Sequence, residues 1–137
     1  MLARKGHNLV GAAALWDQSH LKQTIVRVYH GWLRYAVPFL ALPRPGQRLR
    51  EAYVSMLAIG NDDMETFRIL LRHLYRQARE RGLHYLLLGL DARDPLRPIA
   101  VEAKPIVYPS KLYLAQWPGT PTLTPDSRPA YADIATY

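Results

Sequence analysis

Between Ala52 and Asp91 the hydrophobic pattern changes its period twice. AYVSMLAIG is an apolar run, NDD a polar break, METFRILLRHLYRQARERG carries apolar positions at helical spacing, and HYLLLGLD is apolar again. A short apolar run, a long 3.6-period segment and a second short run predict a parallel β-α-β crossover, a unit that winds right-handed in nearly all proteins. Asp62 stands three residues before Glu65, the capping-box spacing, so its side chain can satisfy orphan amides at a helix start. Met64, Phe67, Leu71, Leu74, Tyr75 and Ala78 form the apolar stripe, and Arg68, Arg72, Arg76 and Arg79 lie on another face. Gly82 follows as a left-handed cap, with Arg79 and Arg81 suiting the negative end of the helix dipole.

The flanking chain repeats these signals more weakly. Leu9 to Trp16 (LVGAAALW) reads as a buried strand ending at Asp17 and Gln18. From Ser19 to Ala36, the residues Leu21, Ile25, Val28, Tyr29, Trp32, Leu33 and Ala36 fall at helical spacing, with Ser19 as N-cap and Val37-Pro38 as the stop. Pro43, Pro45 and Gly46 mark a rigid connection into the central strand. Asp91 to Arg97 is a polar loop, and only a short helix fits between Pro98 and Lys104. Ile106 to Trp117 carries β-formers on either side of Pro109, which places it at an edge or a bulge. Residues 118–129 are a Pro/Thr-rich loop, and Tyr131 to Tyr137 reads either as a frayed tail or as a last short strand. The expected organisation is a single α/β or α+β domain over residues 1–137, a sheet with helices packed on it.

Composition narrows the class. A chain of 137 residues with 49% hydrophobic content can bury one ordinary core. It has no cysteine, which excludes a disulfide framework and any thiolate metal site. The apolar runs are too short for a membrane span and the start shows no cleavable signal, so the expectation is a cytoplasmic chain with no membrane partner. The net charge of +7 invites a nucleic-acid reading. The basic residues are scattered, however, and the Arg stripe of the long helix has Glu65 and Glu80 mixed in, so a solvated helix face is favoured over a nucleic-acid face. Contact with the phosphates of a nucleotide-bearing cofactor is a third use of this charge. His7, His20, His30, His73 and His84 lack metal-ligand spacing, and no metal is expected. Trp16, Trp32 and Trp117 read as core anchors. No Ser-His-Asp order, Walker loop or dinucleotide fingerprint is present.

Several stretches together resemble a known family. GAAALWDQ, KQTIVRVYHGWLR, LPRPGQRLREAYVSMLAIGNDD, YLLLGLDARDPL, YPSKLYLAQW and the closing SRPAYADIATY resemble bacterial proteins of the GNAT superfamily of N-acetyltransferases. The order of central strand, helix, parallel strand, short helix and closing hairpin looks like the C-terminal part of that fold. The resemblance implies a mixed sheet in which Tyr131 to Tyr137 pairs with Ile106 to Gln116, and a fold whose N-terminal strand and helices lie ahead of this chain. A homodimer or an N-terminal partner domain is then expected to cover the sheet.

The resemblance also implies chemistry. In GNAT enzymes the central strand and the parallel strand after the helix splay apart and acetyl-CoA or another acyl-CoA lies between them, donating its acyl group to a small-molecule or peptide amine. By position, Met56, Leu57, Ala58 and Ile59 would bond the pantetheine arm, and Gly60, Asn61, Asp62, Asp63 and Met64 would face the pyrophosphate, as helix starts bind anions. Asp62 and Asp63 depart from the family's glycine-rich phosphate loop and are fully accounted for as helix caps. Tyr108 and Tyr113 are the candidates for the acid that protonates the leaving thiolate, and Asp91, with Asp94 after it, is a candidate for the base or for a substrate-amine contact. Asp17 and Gln18 are a further binding candidate. A catalytically degenerate GNAT-like domain serving assembly or ligand sensing is the alternative.

Overall fold

The computed structural model describes residues 1–37, 39, 42–113, 117–121, 126–131, 133 and 134. In chain order the elements are β1 (Leu2–Lys5), β2 (Asn8–Asp17), β3 (Thr24–Ile25), α1 (Leu33–Ala36), β4 (Arg48–Leu49), β5 (Glu51–Ile59), α2 (Met64–Glu80), β6 (Tyr85–Leu87) and α3 (Arg97–Glu102). The main sheet has the order β1-β2-β5-β6. The pairs β1–β2 and β2–β5 are antiparallel, and β6 is parallel to β5 across the α2 crossover. This is the α+β mixed sheet with a central β-α-β unit that the hydrophobic pattern implies.

The core lies between one face of the sheet and the two longer helices. Ala13 of β2, Val54 of β5 and Leu74 of α2 pack together, with Leu15, Leu57, Leu86 and Leu88 around them. Phe67 of α2 meets Leu96, just ahead of α3, and Ile99 within it, backed by Leu57, Ile59, Leu71 and Leu90. Gly11 is where α2 comes closest to β2: a Cβ there would lie 3.0 Å from Thr66 Cγ2 and 3.1 Å from Leu70 Cδ1. That approach sets the rotation of the helix. Thr66, Phe67, Leu70, Leu74 and Ala78 are buried, whereas Met64 and Tyr75, placed on the apolar stripe by spacing alone, are exposed.

The ends of α2 are built as local chemistry dictates. Its N-cap is Asp63, one residue beyond the Asp62 of the capping-box spacing, because Asp62 sits in a 3₁₀ turn over Gly60–Asp62 with φ of 50°. At the other end Gly82, at φ +64°, closes a Schellman motif: its amide donates to the Arg79 carbonyl, and the Leu83 amide donates to the Ala78 carbonyl at 3.0 Å.

Four expectations are corrected. The segment from Ser19 to Ala36 is not a helix: only Leu33–Ala36 is helical, and Thr24–Ile25 pairs instead with Arg48–Leu49. Thr24, Ile25, Val26 and Val28 are β-branched residues that give up side-chain freedom in a helix and fit a ladder better. Ser19 caps nothing; its amide donates to Asp17 Oδ1 at 2.9 Å. Residues 106–113 carry no strand and are exposed, so the closing hairpin does not form among the described residues; 114–116, 132 and 135–137 lie outside them. Trp16, Trp32 and Trp117 are all exposed rather than core anchors, Trp16 because the alternation of β2 turns it away from the face that holds Ala13.

The short helix expected after Pro98 is present as α3, with the proline in its first turn. The connection through Pro43, Pro45 and Gly46 is a turn in which Gly46 adopts φ +87°.

Candidate functional site

β5 is the strand around which the site is built. Among the described residues β6 accompanies it only along Glu51, Ala52 and Tyr53, and the rest of β5 has no parallel partner. On the other side, the register with β2 slips: Ala12 faces Ala58 but Ala14 faces Ser55. Two residues, Met56 and Leu57, therefore stand opposite Ala13, which is a β-bulge. Met56 takes the left-handed conformation at φ 51°, as the first residue of one common bulge type does, usually as glycine.

The extra residue inverts the alternation. Before the bulge Val54 faces the helices, and after it Leu57 and Ile59 do. It also turns consecutive backbone amides, those of Met56 and Leu57, away from the ladder and towards the side that β6 leaves uncovered.

These amides are taken by the closing segment of the same chain. Met56 N–H donates to Asp133 Oδ2 at 3.0 Å, and the Ser55 hydroxyl donates to the same oxygen at 2.5 Å. Leu57 N–H donates to the Tyr131 hydroxyl at 2.9 Å. One step earlier, Ala130 N–H donates to Asp91 Oδ2 at 3.2 Å. The segment thus runs from Asp91, beyond β6, to the bulge of β5.

Asp91 is fixed from two sides. Besides Ala130 it accepts from Arg93 N at 2.8 Å and from Arg93 Nε at 3.2 Å. The Arg93 guanidinium and amide, with the Ala130 amide, hold its carboxyl down to about 2. A carboxylate held this far down is a poor general base near neutral pH and a good anchor.

The start of α2 is closed by its own residues. Asp63 Oδ1 accepts from Glu65 N at 3.1 Å and Oδ2 from the Thr66 hydroxyl at 2.7 Å. These bonds, the Thr66 hydroxyl first, hold the Asp63 carboxyl below the usual carboxylate range. The Phe67 amide donates to the Asp63 carbonyl, so the first turn already has internal acceptors.

The expected site residues are thus partly gathered. Met56 and Leu57 present amides to the gap, while Ala58 returns to the ladder opposite Ala12. Ile59 packs into the core beside Phe67. Gly60 and Asn61 form the tight turn into α2, with Asn61 at φ 53°, and Met64 opens the helix on its exposed side. Tyr108 and Tyr113 are 89% and 81% exposed on a segment with no ladder. The tyrosine that reaches β5 is Tyr131, and the serine is Ser55; neither is marked by spacing. Asp94 caps the turn before α3 through Leu96 N at 2.8 Å. Asp17 holds the loop after β2 through Ser19. Of the Arg stripe, Arg68 is clamped between Glu102, at 2.8 Å, and Glu65. Among the described residues no group of three His, Asp or Glu side chains converges as a metal site, and no helix is long and apolar enough to cross a membrane.

Comparison with known proteins finds likeness among solved structures alone. No family model matches the chain, and no curated protein matches it significantly. Among solved structures the chain is similar to a ribosomal-protein-alanine N-acetyltransferase from Brucella melitensis biovar Abortus 2308. The match covers 85% of this chain and 68% of that one at 21% identity, with a TM-score of 0.46.

Proposed function

We propose that this chain is a GNAT-like acyltransferase domain in which the gap between β5 and β6 receives the acyl-bearing arm of an acyl-CoA for transfer to an amine. The observation that carries the reading is the bulge at Met56. Beyond Tyr53 β5 keeps its ladder with β2 but has no β6 partner among the described residues, and the bulge turns the Met56 and Leu57 amides, together with the Ser55 hydroxyl, towards one opening. Two donors already converge there on one oxygen, that of Asp133, which is the arrangement that holds a polarised carbonyl.

The two halves of the cofactor fit unequally. The amides at the bulge suit the carbonyl and amide groups of a pantetheine arm. The start of α2 does not suit a pyrophosphate, because the Asp63 carboxylate sits there and already takes the Glu65 amide, and Asp62 adds a second negative charge beside it. Acyl-CoA supplies an acyl group on a thioester; Ser55 and Met56 are the groups of this chain placed to hold its carbonyl oxygen. The self-capped helix start is also the specific observation behind a second reading, a non-catalytic GNAT-like domain that senses a ligand or serves assembly.

Titration with acetyl-CoA and with S-acetylpantetheine, followed by NMR at the Met56 and Leu57 amides, tests this. Both probes are expected to shift these amides, with affinities within roughly fivefold of each other because the nucleotide half finds no anchor. Absence of any shift at millimolar concentration of either probe overturns the acyltransferase reading and leaves the second.

A further inference from the structure

The closing segment and the proposed arm of an acyl donor need the same atoms. Asp133 and Tyr131 occupy the Ser55 hydroxyl and the Met56 and Leu57 amides, and Ala130 is fastened to Asp91 across the gap. We propose that Ala130, Tyr131 and Asp133 act as a displaceable strap, closing the β5–β6 gap in the resting protein and yielding it to a donor only when lifted. This rests on the acyltransferase reading of the gap.

Three features make the strap removable. Its described contacts are hydrogen bonds, and it adds nothing to the core: Ala130 and Tyr131 are exposed and Asp133 is half-buried. Among the described residues none of the three belongs to a ladder, so lifting them breaks no strand pairing there. Between Glu102, the end of α3, and Ala130 no helix or strand is present among the described residues, so lifting the strap unravels no described element there. Segments with few apolar contacts and exposed hydrogen bonds open at low free-energy cost.

The strap also has the chemistry of a competitor. A carboxylate oxygen receiving a hydroxyl and an amide is bound by charge-assisted hydrogen bonds, stronger than those a neutral carbonyl accepts from the same donors. A neutral acyl arm therefore competes at a disadvantage, and its apparent affinity is reduced by the fraction of molecules with the strap lifted. The strap makes the site selective for occupants that offset this cost elsewhere along the gap.

The test uses the full chain and its Asp133→Ala, Asp133→Asn and Tyr131→Phe variants. Amide exchange at Met56 and Leu57 is read by NMR, S-acetylpantetheine affinity by titration, and folding by the far-ultraviolet signal of α2. In Asp133→Ala, Met56 exchange is expected to accelerate and S-acetylpantetheine to bind about tenfold more tightly than in the parent. Tyr131→Phe is expected to expose Leu57 selectively, and Asp133→Asn, which keeps an acceptor for Met56 but not the charge, to fall between parent and Asp133→Ala. Unchanged exchange in all three folded variants overturns the strap. Equal affinity in parent and variants also overturns it and leaves the acyltransferase reading standing. Faster exchange without binding in any variant overturns the acyltransferase reading, and this proposal with it.

Discussion

The Thr66 hydroxyl donates to Asp63 Oδ2 at 2.7 Å, inside the first turn of the helix that Asp63 caps. The contact lies at the start of the long helix, directly after the 3₁₀ turn that leaves β5. Replacing Asp63 by Asn keeps an N-cap acceptor and removes a charge, so CoA is expected to bind Asp63→Asn roughly three- to tenfold more tightly while S-acetylpantetheine is unaffected. Asp63→Ala loses the cap and is expected to melt roughly 2–6 °C lower, measured by circular dichroism.

Acid sensitivity follows from the same carboxylates. Asp17, Asp63, Asp91 and Glu102 are all held below their ordinary values by hydrogen bonds, from Ser19, Thr66, Arg93 and Arg68 respectively. A group with a lowered folded value stabilises the fold above its unfolded value, near 4 for a carboxylate, and loses that contribution as pH falls through its folded value. For Asp91 the window runs from about 4 down to about 2. Urea midpoints are expected to be flat from pH 8 to 5 as far as these groups are concerned, and to fall below pH 4. In Asp91→Asn the fall is expected to be shallower.

Gly11 is a packing requirement rather than a flexible joint. A Cβ there would meet Thr66 Cγ2 at 3.0 Å, Leu70 Cδ1 at 3.1 Å and Ile59 Cδ1 at 3.3 Å. Gly11→Ala is expected to cost about 1 kcal/mol and Gly11→Val about 3 kcal/mol in urea unfolding, since α2 must shift to accommodate them. A stabilised Gly11→Val variant would contradict the observed helix position.

The helix stripe separates two readings of the sequence. Phe67 is 1% exposed and Tyr75 is 58% exposed, though both lie on the stripe defined by spacing. Phe67→Ala is expected to cost about 3–5 kcal/mol, and Tyr75→Ala less than about 1 kcal/mol. Equal losses would place the helix in a different rotation.

Met56 carries backbone strain at φ 51°, a conformation costly to a residue with a Cβ and open to glycine. Met56→Gly is expected to leave stability unchanged or raise it by up to about 1 kcal/mol. Met56→Val is expected to lower it by about 1–2 kcal/mol, because a β-branched side chain tolerates this region least. A Met56→Val variant as stable as the parent would remove the bulge from the account.

The crossover and its helix were legible because their signals are local. Alternation between an apolar run and a 3.6 period, Asp before the first turn and Gly82 after the last each act within a few residues of where they are read. Even so, spacing chose Asp62 as the cap, and only the 3₁₀ turn over Gly60–Asp62 moves the cap to Asp63. The stretch from Ser19 to Ala36 misled for the opposite reason. Its helical spacing is real, but Thr24 and Ile25 find ladder partners in Arg48 and Leu49 more than twenty residues away, and no local rule weighs a distant partner.

The sequence by itself determined the α+β class, the extent of α2 and the parallel placement of β5 and β6, since burial periodicity and capping chemistry are written in neighbouring residues. The tertiary structure alone decided the site. The bulge at Met56 arises from the register of β5 against β2, and the occupant of its amides comes from residues 74 and 77 positions further along the chain. Register and long-range hydrogen bonds depend on how whole strands settle against each other, and a pattern of hydrophobic positions carries no information about which extra residue a strand leaves out of its ladder.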